Sequence, residues 1–351
     1  MTHTTKVLPP RRNNYFDILR AVAVIFVICI HIFYRIPAVA NSSSIPIIPA
    51  IWRTLIGSAV PLFIAISGYF MANKDVSTPK KYFAFIKKQI PRVYIPCFIW
   101  SLPHFYWEVR ASGFSSKEVF NLLFCGYSNY YFVLLIIIFY ILLPICQYLG
   151  KTKRGVFLSI LISFFSISFW CYIVGKFFHF DPPYILSAIY FPMRIMFYVV
   201  GIHFGKNIGQ KPVWSSNLIL MIMILTTLIL GGLFLSNDTL LAPIIGTSIL
   251  KAIRSLYSLL VIILLFKIAP SNYRVSTSIG RLFAHLGVIS YGIYLIHTHV
   301  LLYLDLFTER YLSVPTIFWL LLLILILLIC IIVIYISRTI NKKYSQIILG
   351  F

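Results

Sequence analysis

The sequence predicts an all-α, polytopic integral membrane protein of about ten transmembrane helices, with N- and C-termini cytoplasmic. Three observations carry this expectation. The chain is 60% hydrophobic and 11% charged over 351 residues, with a mean hydropathy of +0.93. A soluble domain of this length has no use for so much apolar surface. The apolar residues gather in separate windows long enough to cross a hydrocarbon layer about 30 Å thick. The basic residues alternate from one connecting segment to the next, as the positive-inside rule requires.

The windows fall near 17–36, 51–71, 92–107, 130–149, 156–175, 185–204, 217–235, 248–267, 284–303 and 316–337. The first has a signal-peptide alternative, with Arg11, Arg12 and Arg20 before an apolar Ala21–Ile30 and a small-residue Ala38-Val39-Ala40. Its apolar run continues from Ile18 to Ile36, however, and His31 interrupts it, so it reads as a retained span. The Ser- and Pro-rich stretch Asn41–Pro49 is an outer loop before the second window. The third is broken up by Pro91, Pro96 and Pro103, and the eighth carries Lys251 and Arg254. Arg194 stands in the sixth. Trp52, Trp107, Trp214 and Trp319 near window ends read as interfacial anchors. No internal repeat or linker divides the chain, so residues 1–351 form one integral domain with cytoplasmic tails at 1–14 and 339–351.

With the N-terminus inside, the inner segments hold 20 of the 30 basic residues, including Lys6, Lys74, Lys151, Lys206, Lys267 and Arg338. The outer segments hold six: Arg35, Arg53, Arg110, Lys117, Lys176 and Arg310. The formal charge of +22 is therefore a topology signal, and no nucleic-acid partner is expected. Six cysteines, none in a CxxC pair and most in apolar runs, read as buried inert thiols. No metal-ligand spacing occurs.

Four constellations offer chemistry. Arg20 and His31 bracket ten apolar or small residues in the first span. Eleven helical steps return the chain to within roughly 20° of the same face and place the two about 16 Å apart along the axis. Such a pair is costly in lipid and belongs on a protein interior or wet path. A neutral imidazole can take a proton from a hydroxyl near neutral pH. Arginine at an inner boundary is ordinary by itself. Ser67-Gly68, in the run Pro61–Phe70, supplies a hydroxyl and bare backbone, or simply close helix packing. Lys87, Lys88 and Arg92 form an inner basic cluster before Pro96, suited to phosphates, to anionic lipid or to topology alone. Tyr291, Tyr294 and His297 follow Ser290 at i, i+3, i+6 spacing along one side of the ninth span, with His299 beyond.

These residues, taken in order, resemble the membrane acyltransferase-3 family of bacterial surface-glycan O-acyltransferases. That family shows a basic residue, ten residues and a histidine in helix 1, as at Arg20 and His31. It also shows a PLFFxxSGYL-like stretch, as at Pro61–Phe70, an RxxxP stretch, as at Arg92–Pro96, and an SxxxYLxH-like stretch, as at Ser290–His297. The resemblance covers essentially the whole chain, and the single-domain form looks like the enterobacterial-common-antigen O-acetyltransferase branch. Two departures stand out. Gly57 and Ser58 occupy the place of an arginine often found before the Pro-Leu-Phe-Phe run, and Tyr131-Phe132-Val133 replaces a Trp-Phe-Leu element. The resemblance implies acetyl-CoA as cytosolic acyl donor, a glycan or lipid-linked oligosaccharide as acceptor, and the bacterial cytoplasmic (inner) membrane as location. It casts His31 as general base or acyl relay and Arg20 as guide for the donor. Lys87, Lys88 and Arg92 become contacts for the donor phosphates. Ser67, Tyr69, Arg194, Tyr291 and His297 line the substrate passage.

A glycan exporter or flippase is the rival class, with Arg20, Arg194, Lys251, Arg254 and the histidines as a polar path. No inverted repeat supports it. A membrane sensor or enzyme anchor, and the unrelated membrane-bound O-acyltransferase fold, rank below both.

Overall fold

The computed structural model describes residues 13–33, 46–127, 130–179, 184–207, 217–236, 243–270, 273–308, 316–340 and 349–350. Of the expected tails 1–14 and 339–351, residues 1–12, 341–348 and 351 lie outside them, whereas Asn14, Thr339 and Ile340 are helical. Residues 41–45 of the expected outer loop, Arg35, Arg310, Lys211 and Trp214 also lie outside, and Ile47–Pro49 open a helix.

The described chain is helical and contains no strand. The elements run α1 (Asn14–Phe33), α2 (Ile47–Ile56), α3 (Ala59–Met71), α4 (Pro79–Ser112), α5 (Ser116–Leu123), α6 (Tyr131–Ile141), α7 (Leu143–Gly150) and α8 (Lys153–Phe177). They continue with α9 (Tyr184–Ile189), a 3₁₀ turn (Phe191–Arg194), α10 (Ile195–Lys206), α11 (Asn217–Ser236), α12 (Pro243–Lys267), α13 (Ser278–Val288), α14 (Ser290–Thr308) and α15 (Thr316–Ile340).

Six stretches among the described residues are long and apolar enough to cross a membrane: 14–33, 47–71, 153–177, 217–236, 245–267 and 320–340. Two further stretches reach that length and apolarity only as bent pairs, α6 with α7 at 71° and α13 with α14 at 75°, the geometry of a broken span or a re-entrant loop. This differs from ten uniform spans at two places. The third expected window lies inside α4, a 34-residue helix that starts in the basic stretch and holds Pro91, Pro96 and Pro103. The sixth is interrupted by the 3₁₀ turn at Pro192, which splits it into the six-residue α9 and the longer α10. Proline removes a backbone donor and crowds the preceding turn, which breaks or bends apolar helices there. Beside two of α4's prolines, the Val93 carbonyl accepts from Tyr291 Oη at 2.5 Å and the Trp100 carbonyl accepts from His299 Nε2 at 2.8 Å.

Lipid offers no hydrophobic drive between helices, so close approach through small residues holds the bundle. A methyl added to Gly201 would overlap the Ala65 carbonyl oxygen, and one on Gly68 the Tyr198 carbonyl oxygen. α3 and α10 therefore touch backbone to backbone. Gly287 brings α13 onto the Asp17 carbonyl of α1 in the same way. Gly201→Ala should lower the Tm of purified protein, in line with an overpacking cost of about 1–3 kcal/mol. An unchanged Tm would contradict the contact.

Thr78 caps α4 by accepting from the Lys81 amide at 3.4 Å. Asp75 in the preceding loop accepts from Lys81 Nζ at 2.6 Å and from Ser77 Oγ at 2.7 Å. The Lys81 ammonium first, then Ser77, hold the Asp75 carboxyl down at about 2. A depressed folded pKa contributes order above the ordinary carboxylate range that is lost as pH falls through the folded value. Protection of the Ser77 amide, corrected for intrinsic exchange, should hold at pH 5, fall by about half near pH 2 and vanish below it. Constant protection would remove Asp75 from the loop's support.

Candidate active site

α1 runs unbroken from Asn14 to Phe33, so Arg20 and His31 keep the spacing that the sequence implies, on one rigid element. Each opens into a different cavity.

By the topology that the sequence predicts, Arg20 opens into an inner cavity and His31 into an outer one. The inner cavity encloses about 300 Å³ and is lined by Arg20, Ser67, Tyr140, Ser290 and Tyr291 among apolar neighbours. The Arg20 guanidinium donates to Asp17 Oδ1 at 3.2 Å and stands 4.6 Å from the centre of the Phe70 ring. Asp17 is 2% exposed. Arg20 is thus held from two sides, by an ion pair and by a cation–π contact.

The outer cavity encloses about 320 Å³. His31 lines it together with Arg53, Arg194, Lys251 and Arg254. Behind His31, the fully buried His297 ring lies 5.4 Å away, centre to centre. His297 Nδ1 is 2.6 Å from the Tyr294 carbonyl oxygen. A carbonyl only accepts, so Nδ1 carries the proton, and in the neutral ring Nε2 holds the lone pair.

Phe132 and Tyr294 line both cavities. Their rings meet edge to face at 5.6 Å and 66°, forming the partition between the two spaces. The three residues that open α6 divide across it. Tyr131 faces the outer space, Phe132 both, and Val133 the inner. The ladder on α14 does the same: Tyr291 lines the inner cavity, Tyr294 the partition, and His297 backs His31.

The remaining sequence candidates separate. Lys87, Lys88 and Arg92 are exposed on α4 and line neither cavity, although the adjacent Val93 lines the inner one. Tyr69 stacks on Phe16 at 4.1 Å and packs against Phe266, outside both cavities. Arg194 lines the outer cavity, with its guanidinium 5.6 Å from the Tyr131 ring centre. Gly68 serves helix contact, whereas its neighbour Ser67 faces the inner cavity. His299 acts as a strut between α14, α4 and Tyr130, whose hydroxyl lies 3.0 Å from His299 Nε2. The six cysteines are unbridged, five of them buried.

Sequence reasoning missed Asp17, although its i, i+3 spacing to Arg20 was there to read. It also left Arg53 as an outer-loop charge and did not join it to Lys251 and Arg254. The joining takes three-dimensional packing. Gly57 stands where a side chain would crowd Arg254, since a Cβ there would lie 3.0 Å from Arg254 Nη2.

A family model described as an acyltransferase domain matches residues 13–335. No curated protein matches, and no solved structure does.

Proposed function

The chain belongs to this acyltransferase family, in its multi-pass membrane form, and from that premise we propose that it takes an acetyl group from cytosolic acetyl-CoA and delivers it to a hydroxyl of a cell-surface or lipid-linked glycan. The inner membrane of a bacterium is the location this reading requires. One observation carries it: a cavity headed by Arg20 and a cavity holding His31 abut at a two-ring partition inside one bundle.

Each residue then has a task. Lys87, Lys88 and Arg92, exposed at the inner mouth, attract the donor phosphates. Arg20, fixed by Asp17, orients the donor at the inner cavity. Ser67 and Tyr291 offer hydroxyls along its wall. His31 accepts the proton of the acceptor hydroxyl while the new ester C–O bond forms and the thioester C–S bond breaks. The proton passes to the departing thiolate. His297, with its Nδ1–H pinned to a carbonyl, holds the ring beside His31 in one tautomer. In the two-step variant His31 carries the acetyl group between donor and acceptor.

The test is label transfer from radioactive acetyl-CoA, supplied at the cytoplasmic face of membrane vesicles. Labelled glycan that depends on this protein supports the reading. Absence of label with acetyl-CoA and with longer acyl-CoA donors, alongside protein-dependent glycan movement, would replace it with the exporter reading.

A further inference from the structure

Four cations around His31 have no part in acyl transfer as derived above, and they are in the wrong half of the molecule for topology. The positive-inside rule puts lysine and arginine in cytoplasmic segments. By the order of segments, the half of the bundle that holds His31 is the outer one. Yet Arg53, Arg194, Lys251 and Arg254 converge there on one cavity of about 320 Å³. They come from separate elements: Arg53 from α2, Arg194 from the end of the 3₁₀ turn, and Lys251 and Arg254 from one face of α12. Among the described residues, no aspartate or glutamate lines this cavity.

The cluster is built rather than incidental. Gly57 leaves the space that the Arg254 guanidinium fills, and Arg254 Nη2 lies 3.5 Å from the Arg53 carbonyl oxygen. Arg194 is seated over Tyr131. Ser255 and Ser258 add hydroxyls on the Arg254 side of the wall. Three guanidinium groups and one ammonium set several charged donors around a single space, the arrangement that a multiply charged anion matches. Snorkelling does not account for the arrangement, because a snorkelling side chain extends to the interface and does not converge with others on a cavity. Guanidinium forks match phosphate oxygens two at a time, and a lysine adds a mobile point charge.

We propose that Arg53, Arg194, Lys251 and Arg254 bind a phosphate-class polyanion carried by the acceptor, a diphosphate above all, and so hold the acceptor's sugar at His31. This rests on the acyl-transfer reading, and it names the acceptor as a phosphorylated glycan. The diphosphate comes either from a lipid carrier or from the glycan itself.

The experiment uses the full chain in phosphatidylcholine nanodiscs without acetyl-CoA, so that binding is read apart from chemistry. Inorganic pyrophosphate and farnesyl diphosphate are the probes, followed by calorimetry and by thermal shift. Pyrophosphate should bind to wild type, and Kd should rise about tenfold or more in Lys251→Gln/Arg254→Gln and in Arg194→Gln. Lys251→Arg should restore affinity, and Lys176→Gln, an outer cation away from the cavity, should leave Kd unchanged. Tighter binding of farnesyl diphosphate than of pyrophosphate assigns the anion to a lipid carrier, and equal binding assigns it to the glycan. Both outcomes uphold the site.

No pyrophosphate binding, or a Kd indifferent to the three cavity substitutions, would overturn the proposal. So would displacement of pyrophosphate by coenzyme A that disappears in Lys251→Gln/Arg254→Gln, since the cluster would then belong to the donor. The two readings fail separately. A cavity that binds diphosphate in a protein that transfers no acetyl removes the enzyme reading and leaves the anion site standing. A protein that transfers acetyl but ignores diphosphate does the reverse.

Discussion

On the proposed reading, His31→Asn should lower acetyl transfer by a factor of about 10² or more at matched membrane levels, because a positioned acid–base group typically contributes about 10²–10⁴. Asparagine keeps a polar side chain at the outer cavity but cannot take a proton. His31 lines a cavity and is only half-buried, so the change leaves no large void. The folded amount and the Tm should therefore stay near wild type, and the loss should fall on kcat. Label transfer from radioactive acetyl-CoA, normalised to protein, measures it. Full activity in a well-folded His31→Asn protein would take His31 out of the chemistry altogether.

Arg20→Met has a mixed effect that a second substitution resolves. Removing the guanidinium withdraws the ion-pair partner seen at 3.2 Å from a carboxylate that is 2% exposed. Breaking such a pair costs about 3 kcal/mol, the low end of the usual range, since Arg20 itself is 28% exposed. Tm and yield should fall together. Asp17→Asn/Arg20→Met removes the charge that was left behind and should recover most of the Tm. Transfer should not recover, and KM for acetyl-CoA should stay raised. Recovery of both would reduce Arg20 to a counter-ion for Asp17.

What could be read from the sequence was set by periodicity. The Arg20–His31 interval is a statement about one straight helix, and α1 is straight, so the relation survives in space. The Tyr291–Tyr294–His297 ladder is legible for the same reason. Its inner-to-outer order along α14 matches that of Arg20 and His31 along α1. Proline and bending defeat such reasoning. The α4 prolines, the 3₁₀ turn at Pro192 and the two bent pairs break the link between an apolar window and a single span. Tyr69 shows a second limit. It neighbours Ser67 and Gly68 in sequence, yet its ring packs among phenylalanines while Ser67 faces a cavity. The outer cation cluster shows a third. Arg53 and Arg254 are 201 positions apart and meet only because helices pack, with Gly57 marking the contact.

The Phe132–Tyr294 partition also has an electrical meaning. Carrying one elementary charge across a membrane potential involves about 2.3 kcal/mol per 100 mV. Coenzyme A is polyanionic, so moving it whole to the outer side would couple the reaction to the potential several times over. An acetyl group is neutral. With two aromatic rings between the cavities, the proposed reading keeps the charged part of the donor on the cytoplasmic side, while the acetyl group crosses one way and the hydroxyl proton the other, with no net charge moved. On the proposed reading, the rate of transfer should then be insensitive to the voltage held across the vesicle.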